Sequence, residues 1–236
     1  MPAHVLLVED DPAVRDVVLR YLERDGHRVS VAGDGQQALD TIERDPPDLL
    51  VLDLMLPVLH GHEILRRLRA RDDGLQRVPV VMLTALAEEE DRVAGLTLGA
   101  DDYRTKPFSP RERALRVGSV LRRTQPQPPA SPGTVSDGSL TMDLLARTAH
   151  VDGRELMLTA REFDLLAFLV THAGRVWSRA DLLAQVWGWS FGDHSTVTVH
   201  VKRLRAKLDR HPALAQAIVT VYGTGYRYDR QEVATP

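Results

Sequence analysis

The sequence predicts two joined domains: an α/β domain built on a doubly wound, five-stranded parallel sheet, followed by a smaller α+β domain. Three observations predict this. Strand-like apolar runs alternate with helix-period patterns through the first half, which implies parallel strands with helices on both faces. Residues 124–133, "TQPQPPASPG", hold four prolines and no charge, so they neither pair as a strand nor continue a helix. Beyond them come short alternating stretches, three helical segments and a final hairpin signal.

The elements follow in order. "HVLLV" (4–8) is an apolar run ended by acids. Val14, Val17, Val18, Tyr21 and Leu22 then recur at helical spacing. "RVSVA" (28–32), "DLLVLDL" (48–54) and "VPVVMLT" (78–84) are further strands with helical patterns between them, and a last short strand precedes "TKPF". A helix is expected from Ser109, with Pro110 in its first turn and Glu112 as the capping-box acid. The expected boundaries are 1–123 for the first domain, 124–133 for the linker and 134–230 for the second domain.

Composition narrows the chemistry. The 236 residues contain no Cys, which excludes disulfides, thiolate metal sites and cysteine nucleophiles. No apolar run approaches membrane-spanning length, and no basic segment leads into a signal-like stretch. A cytoplasmic protein without membrane contact is expected. The net charge of −3 divides unevenly: residues 1–133 carry 18 Lys+Arg against 22 Asp+Glu, and residues 134–236 carry 12 against 11. Only the second part has room for a basic face without a large counter-charge.

"LLVLDLML" (49–56) places one carboxylate, Asp53, among seven apolar residues. An unpaired ionised group in such surroundings is costly. In doubly wound sheets, ligands bind outside the carboxyl ends of the strands. There Asp53 would meet Glu9 and Asp10 from strand one, Thr84 from strand four and Lys106 from strand five. Clustered carboxylates cannot all ionise without compensation, and a hard cation such as Mg²⁺ supplies it. Lys106 is one of three lysines beside 27 arginines, which suggests a site needing a compact ammonium. A cation, a Lys, a hydroxyl and a semi-buried carboxylate suit phosphoryl transfer to that carboxylate. Taken singly each feature also has an ordinary meaning; the Glu9–Asp10–Asp11 run before Pro12 could cap a helix.

"VLLVEDDP", "LLVLDLMLP", "VVMLTA" and "GADDYRTKPFSPRE" resemble the receiver domain of two-component response regulators, in order and spacing, over residues 3–123. The resemblance implies a flavodoxin-like fold with Asp53 as phosphoacceptor for a sensor histidine kinase. It implies Mg²⁺ held by Asp10, Asp53 and the Met55 carbonyl, with Glu9 assisting. Thr84 and Lys106 would hold phosphoryl oxygens, and Tyr103 would be the aromatic that moves with Thr84 on activation. It further implies a phosphorylation-promoted homodimer through pairs Arg92–Glu112, Asp102–Arg116 and Asp101–Arg123. A metal-dependent phosphatase with an aspartyl nucleophile is the rival enzyme class. Such enzymes carry a second Asp two residues on, where this chain has Met55, so no enzyme is expected.

The second segment opens with "SLTMD", "TAHVDG" and "RELMLT", consistent with a small antiparallel sheet. Thr159 with Glu162, and Ser178 with Asp181, mark two helix starts. In "STVTVHVKRLRAKL" (195–208), Val197, Val201, Leu204 and Leu208 form an apolar seam. The opposite arc holds Thr196, Val199, Lys202, Arg203, Arg205 and Lys207. A helix with one buried seam and one basic face is sized for the major groove, although charged outer faces are common on ordinary amphipathic helices. "AIVTVYGTGYRYD" reads as a hairpin turning at residues 223–225.

"LTAREFDLLAFLV", "SRADLLAQVW", "TVTVHVKRLRAKL" and "TVYGTGYRY" are similar to the winged helix-turn-helix effector of the OmpR/PhoB subfamily. That resemblance places the third helix in the major groove of double-stranded promoter DNA. Arg203 would touch a base edge and Val199 a thymine methyl. Thr196, His200, Lys202, Arg205 and Trp187 would meet phosphates, and Arg227 would do so from the wing. RNA polymerase is the further partner implied. The chain departs from the subfamily at Tyr222, Ser195 and Thr198, at His60 where an acid is common, and at Arg113. The resemblance implies a phosphorylation-switched transcriptional regulator; the alternative is a phosphorylation-independent DNA-binding regulator whose receiver only dimerises.

Overall fold

A computed structural model describes residues 2–84, 89–105, 133–189 and 193–231, with side chains left undescribed at 84, 89–91, 104 and 105. The chain divides into two compact units, Met1–Thr124 and Gln125–Pro236.

In the first unit the strands are β1 (His4–Val8), β2 (Arg28–Ala32), β3 (Leu49–Asp53), β4 (Val80–Thr84) and β5 (Asp102–Thr105). All pair in parallel, in the order β2-β1-β3-β4-β5. Every residue of β1 and β3 is buried, which explains why their sequences are continuous apolar runs instead of alternating ones. Helices α1 (Pro12–Arg24), α2 (Gly35–Arg44), α3 (Gly61–Arg69) and α4 (Glu89–Leu98) connect the strands. Val18 and Leu22 of α1 pack with Val5, Leu7, Leu49 and Val51 into a shared core. The chain order reverses between β1 and β3, and at such switch points a crevice opens at the carboxyl ends. The helix expected from Ser109 and the linker at 124–132 lie outside the described residues.

The second unit begins with a four-stranded antiparallel sheet: β6 (Thr134–Asp137), β7 (Leu140–Asp143), β8 (Thr148–Val151) and β9 (Arg154–Glu155). Helix α5 (Ala160–Thr171) follows, its start closed by a reciprocal capping box of Thr159 and Glu162. After β10 (Trp177–Ser178), α6 (Arg179–Leu182) is capped in the same way by Ser178 and Asp181 and widens into a π turn at Leu183–Trp187. Then come α7 (Ser195–Lys207), α8 (Pro212–Ala217) and the hairpin β11 (Ile218–Val221) and β12 (Gly225–Tyr228). The hairpin sheet runs β10-β12-β11. Leu165, Leu166, Leu169, Trp187, Val197, Val201, Leu204, Leu208 and Tyr228 share one core. At the far end Tyr228 donates its phenol proton to Asp137 at 2.8 Å, tying β12 to β6. Burial and then this bond push the phenol well above its ordinary range.

Candidate functional sites: a carboxylate cluster and a helix face

The parallel register builds the first site. Val8 pairs with Leu52, so the residues that follow, Glu9 and Asp53, lie side by side at the carboxyl edge. The acidic run after β1 then divides its labour. Asp11 caps α1, its Oδ1 accepting from the amides of Ala13 and Val14 at 2.8 and 3.2 Å, with Pro12 at the helix start. Glu9, Asp10 and Asp53 each bring a carboxylate oxygen within 4.8 Å of the others. Glu9 is fully buried and Asp53 is 3% exposed, while Asp10 faces solvent. Like charges this close repel one another. An all-oxygen, carboxylate-rich set open on one side fits a hard divalent cation that keeps part of its water shell.

Several local features hold Asp53 in place. Its Oδ1 accepts from the Met55 amide at 3.3 Å. The amide of Gly61 donates to the Leu54 carbonyl at 3.0 Å, drawing the start of α3 against the strand end. A Cβ at Gly61 would stand 2.3 Å from the Asp53 carbonyl oxygen, so only glycine permits that approach. Between them Val58 adopts φ +68° and is 84% exposed. A β-branched residue in the left-handed region is strained, a feature the sequence reading did not anticipate. His60 is the last residue before α3 and makes no side-chain cap.

Other expected residues fall around this edge. The backbone of Thr84 ends β4, beside Thr105 of β5. Tyr103 is 5% exposed, and its ring approaches α4 where a Cβ on Gly95 would come within 3.0 Å of ring carbons. Arg92 lies on α4. Lys106, Glu112, Arg113, Arg116 and Arg123 lie outside the described residues. One expectation is corrected: Asp101 is not an outward partner for Arg123. It is fully buried, and its Oδ2 accepts from Arg69 at 3.0 Å and from the Val80 amide at 2.9 Å. A carboxylate on the sheet's covered side finds its cation within the fold. Asp102 is 2% exposed, and its Oδ1 accepts from the Tyr103 amide.

The second site centres on α7. Its predicted seam is buried as expected, with Val197, Val201, Leu204 and Leu208 at most 1% exposed. The buried arc is wider than the seam, however, and His200 on it packs against Trp187 of the π turn. Thr196, Val199, His200 and Trp187 are 4, 8, 0 and 0% exposed. The Thr196 carbonyl bonds the His200 ring at 2.8 Å, and the His200 ring stands edge-on to Trp187. Expected at DNA, these side chains pack against the domain in this structure.

Arg203, expected at a base edge, is engaged within the fold. Its guanidinium turns inward to Glu162 at 2.6 Å and is 10% exposed. Lys207 meets the other oxygen of Glu162, also at 2.6 Å. Burial alone would raise the Glu162 carboxyl, but the two cations and the capping bond hold it at about 2. Arg205 donates to the Ile218 carbonyl and to Thr220 Oγ1 of β11 at 2.9 Å, so it braces the hairpin. Arg227 pairs with Asp229 two residues on at 2.5 Å. Lys202 faces solvent.

Thr198 and Tyr222, noted above as departures, share this surface with Arg179 and Tyr226, which the sequence did not single out. Thr198 is exposed, and its hydroxyl lies 3.4 Å from both Arg179 Nε and the Tyr226 phenol. Arg179 sits over the Tyr226 ring at 5.0 Å. Tyr222, at the hairpin tip, is 92% exposed. Arg179 was legible only as part of a helix start, because its neighbours on α7 and β12 are distant in sequence.

The chain matches the family models for the response regulator receiver domain, over residues 5–117, and for the transcriptional regulatory protein C-terminal domain, over residues 153–228. It is 42% identical over 228 residues to the sensory transduction protein RegX3 of Mycolicibacterium smegmatis, covering 95% of this chain and 98% of that one. It is also 42% identical over 235 residues to the alkaline phosphatase synthesis transcriptional regulatory protein SphR of Synechococcus elongatus, covering 95% and 90%. Among solved structures it is similar to response regulator DrrB, a Thermotoga maritima OmpR/PhoB homolog, with a TM-score of 0.52, 30% identity and coverage of 97% and 100%. These relatives are regulators by name, not enzymes, and no helix among the described residues is long and apolar enough to cross a membrane. With both domain models matched and relatives aligned almost end to end, the chain belongs to the OmpR/PhoB family of two-component response regulators, a receiver followed by a DNA-binding transcriptional regulatory domain.

Proposed function

We propose that Asp53 is the phosphoacceptor of this regulator and that its phosphorylation by a sensor histidine kinase promotes receiver dimerisation and promoter binding. The observation that carries this reading is the three-carboxylate cluster at the end of β1 and β3, two of its members buried. An Asp53 oxygen attacks the phosphorus of the kinase's phosphohistidine; the O–P bond forms, the P–N bond breaks, and the imidazole leaves with the electron pair. Glu9, Asp10, Asp53 and the Met55 carbonyl would hold Mg²⁺, which when bound neutralises charge gathered on the phosphoryl oxygens. Lys106 and Thr84 take the remaining oxygens. The added group brings roughly two negative charges and three strong acceptors, and Tyr103 moves with Thr84 to the new arrangement.

The dimer forms through the α4–β5 side of the receiver, with Arg92, Asp102, Glu112 and Arg116 setting its register. Two effector domains are thereby presented to a repeated half-site on double-stranded promoter DNA, where RNA polymerase is engaged. The protein works in the cytoplasm. Incubation with Mg²⁺ and a small acyl phosphate, read by mass spectrometry, tests the reading. One phosphoryl group is expected on wild type and none on Asp53→Ala, and Asp10→Ala should label far more slowly. Equal labelling of wild type and Asp53→Ala overturns the site. DNA binding and dimerisation unchanged by labelling would favour the phosphorylation-independent regulator.

A further inference from the structure

The segment joining β3 to α3 forms a fixed rim beside Asp53. Leu54 and Leu56 are each 4% exposed, so their side chains pin it to the receiver. The Leu54 amide donates to the Leu83 carbonyl at 3.0 Å. A Cβ at Gly35, the first residue of α2, would stand 2.5 Å from the Leu59 carbonyl oxygen, so the rim presses directly on that helix. Between these fixed points two apolar side chains face solvent: Met55 is 51% exposed and Val58 84%.

Val58 is the strained one. The Leu59 amide donates to the Pro57 carbonyl at 2.7 Å across Val58, whose φ is +68°. That closes a γ-turn with positive φ, the rare and strained form. A side chain branched at Cβ adds to the strain, and glycine would not. Lone exposed apolar residues are ordinary on protein surfaces, but strained ones gather at sites of function. At this exposure the Val58 side chain has little of the receiver to pack against, so what it gains comes from outside the receiver.

The chemistry of the rim identifies its occupant. Asp53 is 3% exposed, so a phosphohistidine reaches it only when the donor protein presses on the rim. The Met55 amide bonds Asp53, which puts this segment at the mouth of the site. A small phosphodonor enters without covering the rim. A preformed turn loses little freedom when it is covered, which favours binding.

We infer that Val58 is a specificity contact for the protein phosphodonor, held in a strained turn so that an apolar side chain beside the donor's histidine covers it. The inference rests on the phosphoacceptor role given to Asp53 above and names a residue through which one donor is told from another. Transfer to the full chain is measured with Mg²⁺ from two donors. One is a small acyl phosphate; the other is the autophosphorylated core of whichever sensor histidine kinase in a panel labels wild type fastest. Val58→Gly keeps the turn and deletes the side chain, and Val58→Asn tolerates the left-handed region while making the side chain polar. Both variants are expected to match wild type with the acyl phosphate. With the kinase core both should show kcat/KM about tenfold lower, carried by KM with kcat unchanged, as loss of one buried valine contact implies. Wild-type kcat/KM from the kinase core in Val58→Gly overturns the inference. Equal slowing with both donors overturns it as well, because Val58 would then act by holding Asp53. A wild type labelled by the acyl phosphate and by no kinase core instead removes the kinase-fed reading on which the inference stands.

Discussion

The carboxyl edge of the receiver and the exposed face of α7 were both read from sequence as clusters of like charge awaiting a partner, and the fold treats them differently. At the receiver edge, Glu9, Asp10 and Asp53 converge. On α7, Arg203 and Lys207 bind Glu162, and Arg205 binds β11. The difference lies in reach. A carboxylate at a strand end is short and is placed by the backbone register. An Arg or Lys on a helix has a long stem that lets its charge seek an acid well to one side of its Cα. Acidic clusters at strand ends can therefore be assigned from topology, whereas basic helix faces need the positions of nearby acids.

The largest expected effect is at the acid that organises α7. Glu162→Ala removes a fully buried ion-pair partner and a helix cap, and should cost about 3 kcal/mol in urea unfolding of the second unit. The same group predicts acid sensitivity. Because its folded value is depressed to about 2 from an ordinary 4.5, its contribution is present above pH 4.5 and lost as pH falls towards 2, an effect of order 3 kcal/mol. Glu162→Gln should remove that slope. Unchanged acid unfolding in Glu162→Gln would break the contrast between the two regions, since the α7 cations would then not be committed inward.

Gly61→Ala sharpens the receiver side. The added Cβ meets the Asp53 carbonyl, so stability should fall by about 2 kcal/mol, and phosphoryl labelling should slow because Asp53 is displaced. Normal labelling in this variant would show that the strand end tolerates more movement than its register suggests. A smaller loss, about 1 kcal/mol, is expected for Tyr228→Phe, which removes the bond to Asp137. The raised phenol makes the wild-type contribution full below pH 10 and lost as pH rises above it, so the variant's alkaline unfolding should be the flatter of the two. Smallest is a gain: Val58→Gly releases left-handed strain at the cost of backbone entropy, for a net stabilisation of about 0.5 kcal/mol. A loss measured by thermal unfolding would mean that Val58 makes compensating contacts.

The sequence by itself determined the strand alternation of the receiver, the capped starts of α5 and α6, the seam of α7, and which acids end β1 and β3. Each of these is written in local periodicity, a cap residue or a strand end, so near neighbours suffice. Tertiary structure alone decided that Asp11 caps while Glu9 and Asp10 stay with Asp53, and that Asp101 serves Arg69 instead of an interface. It also decided that Arg203 belongs to Glu162, that Arg205 belongs to β11, and that Arg179 and Tyr226 gather around Thr198. Those partners stand far apart in the chain, 32 residues for Arg69 and Asp101 and 28 for Thr198 and Tyr226. A buried charge takes whichever counter-charge the packing brings within reach, and that choice is made in space, beyond what the spacing of residues along the chain encodes.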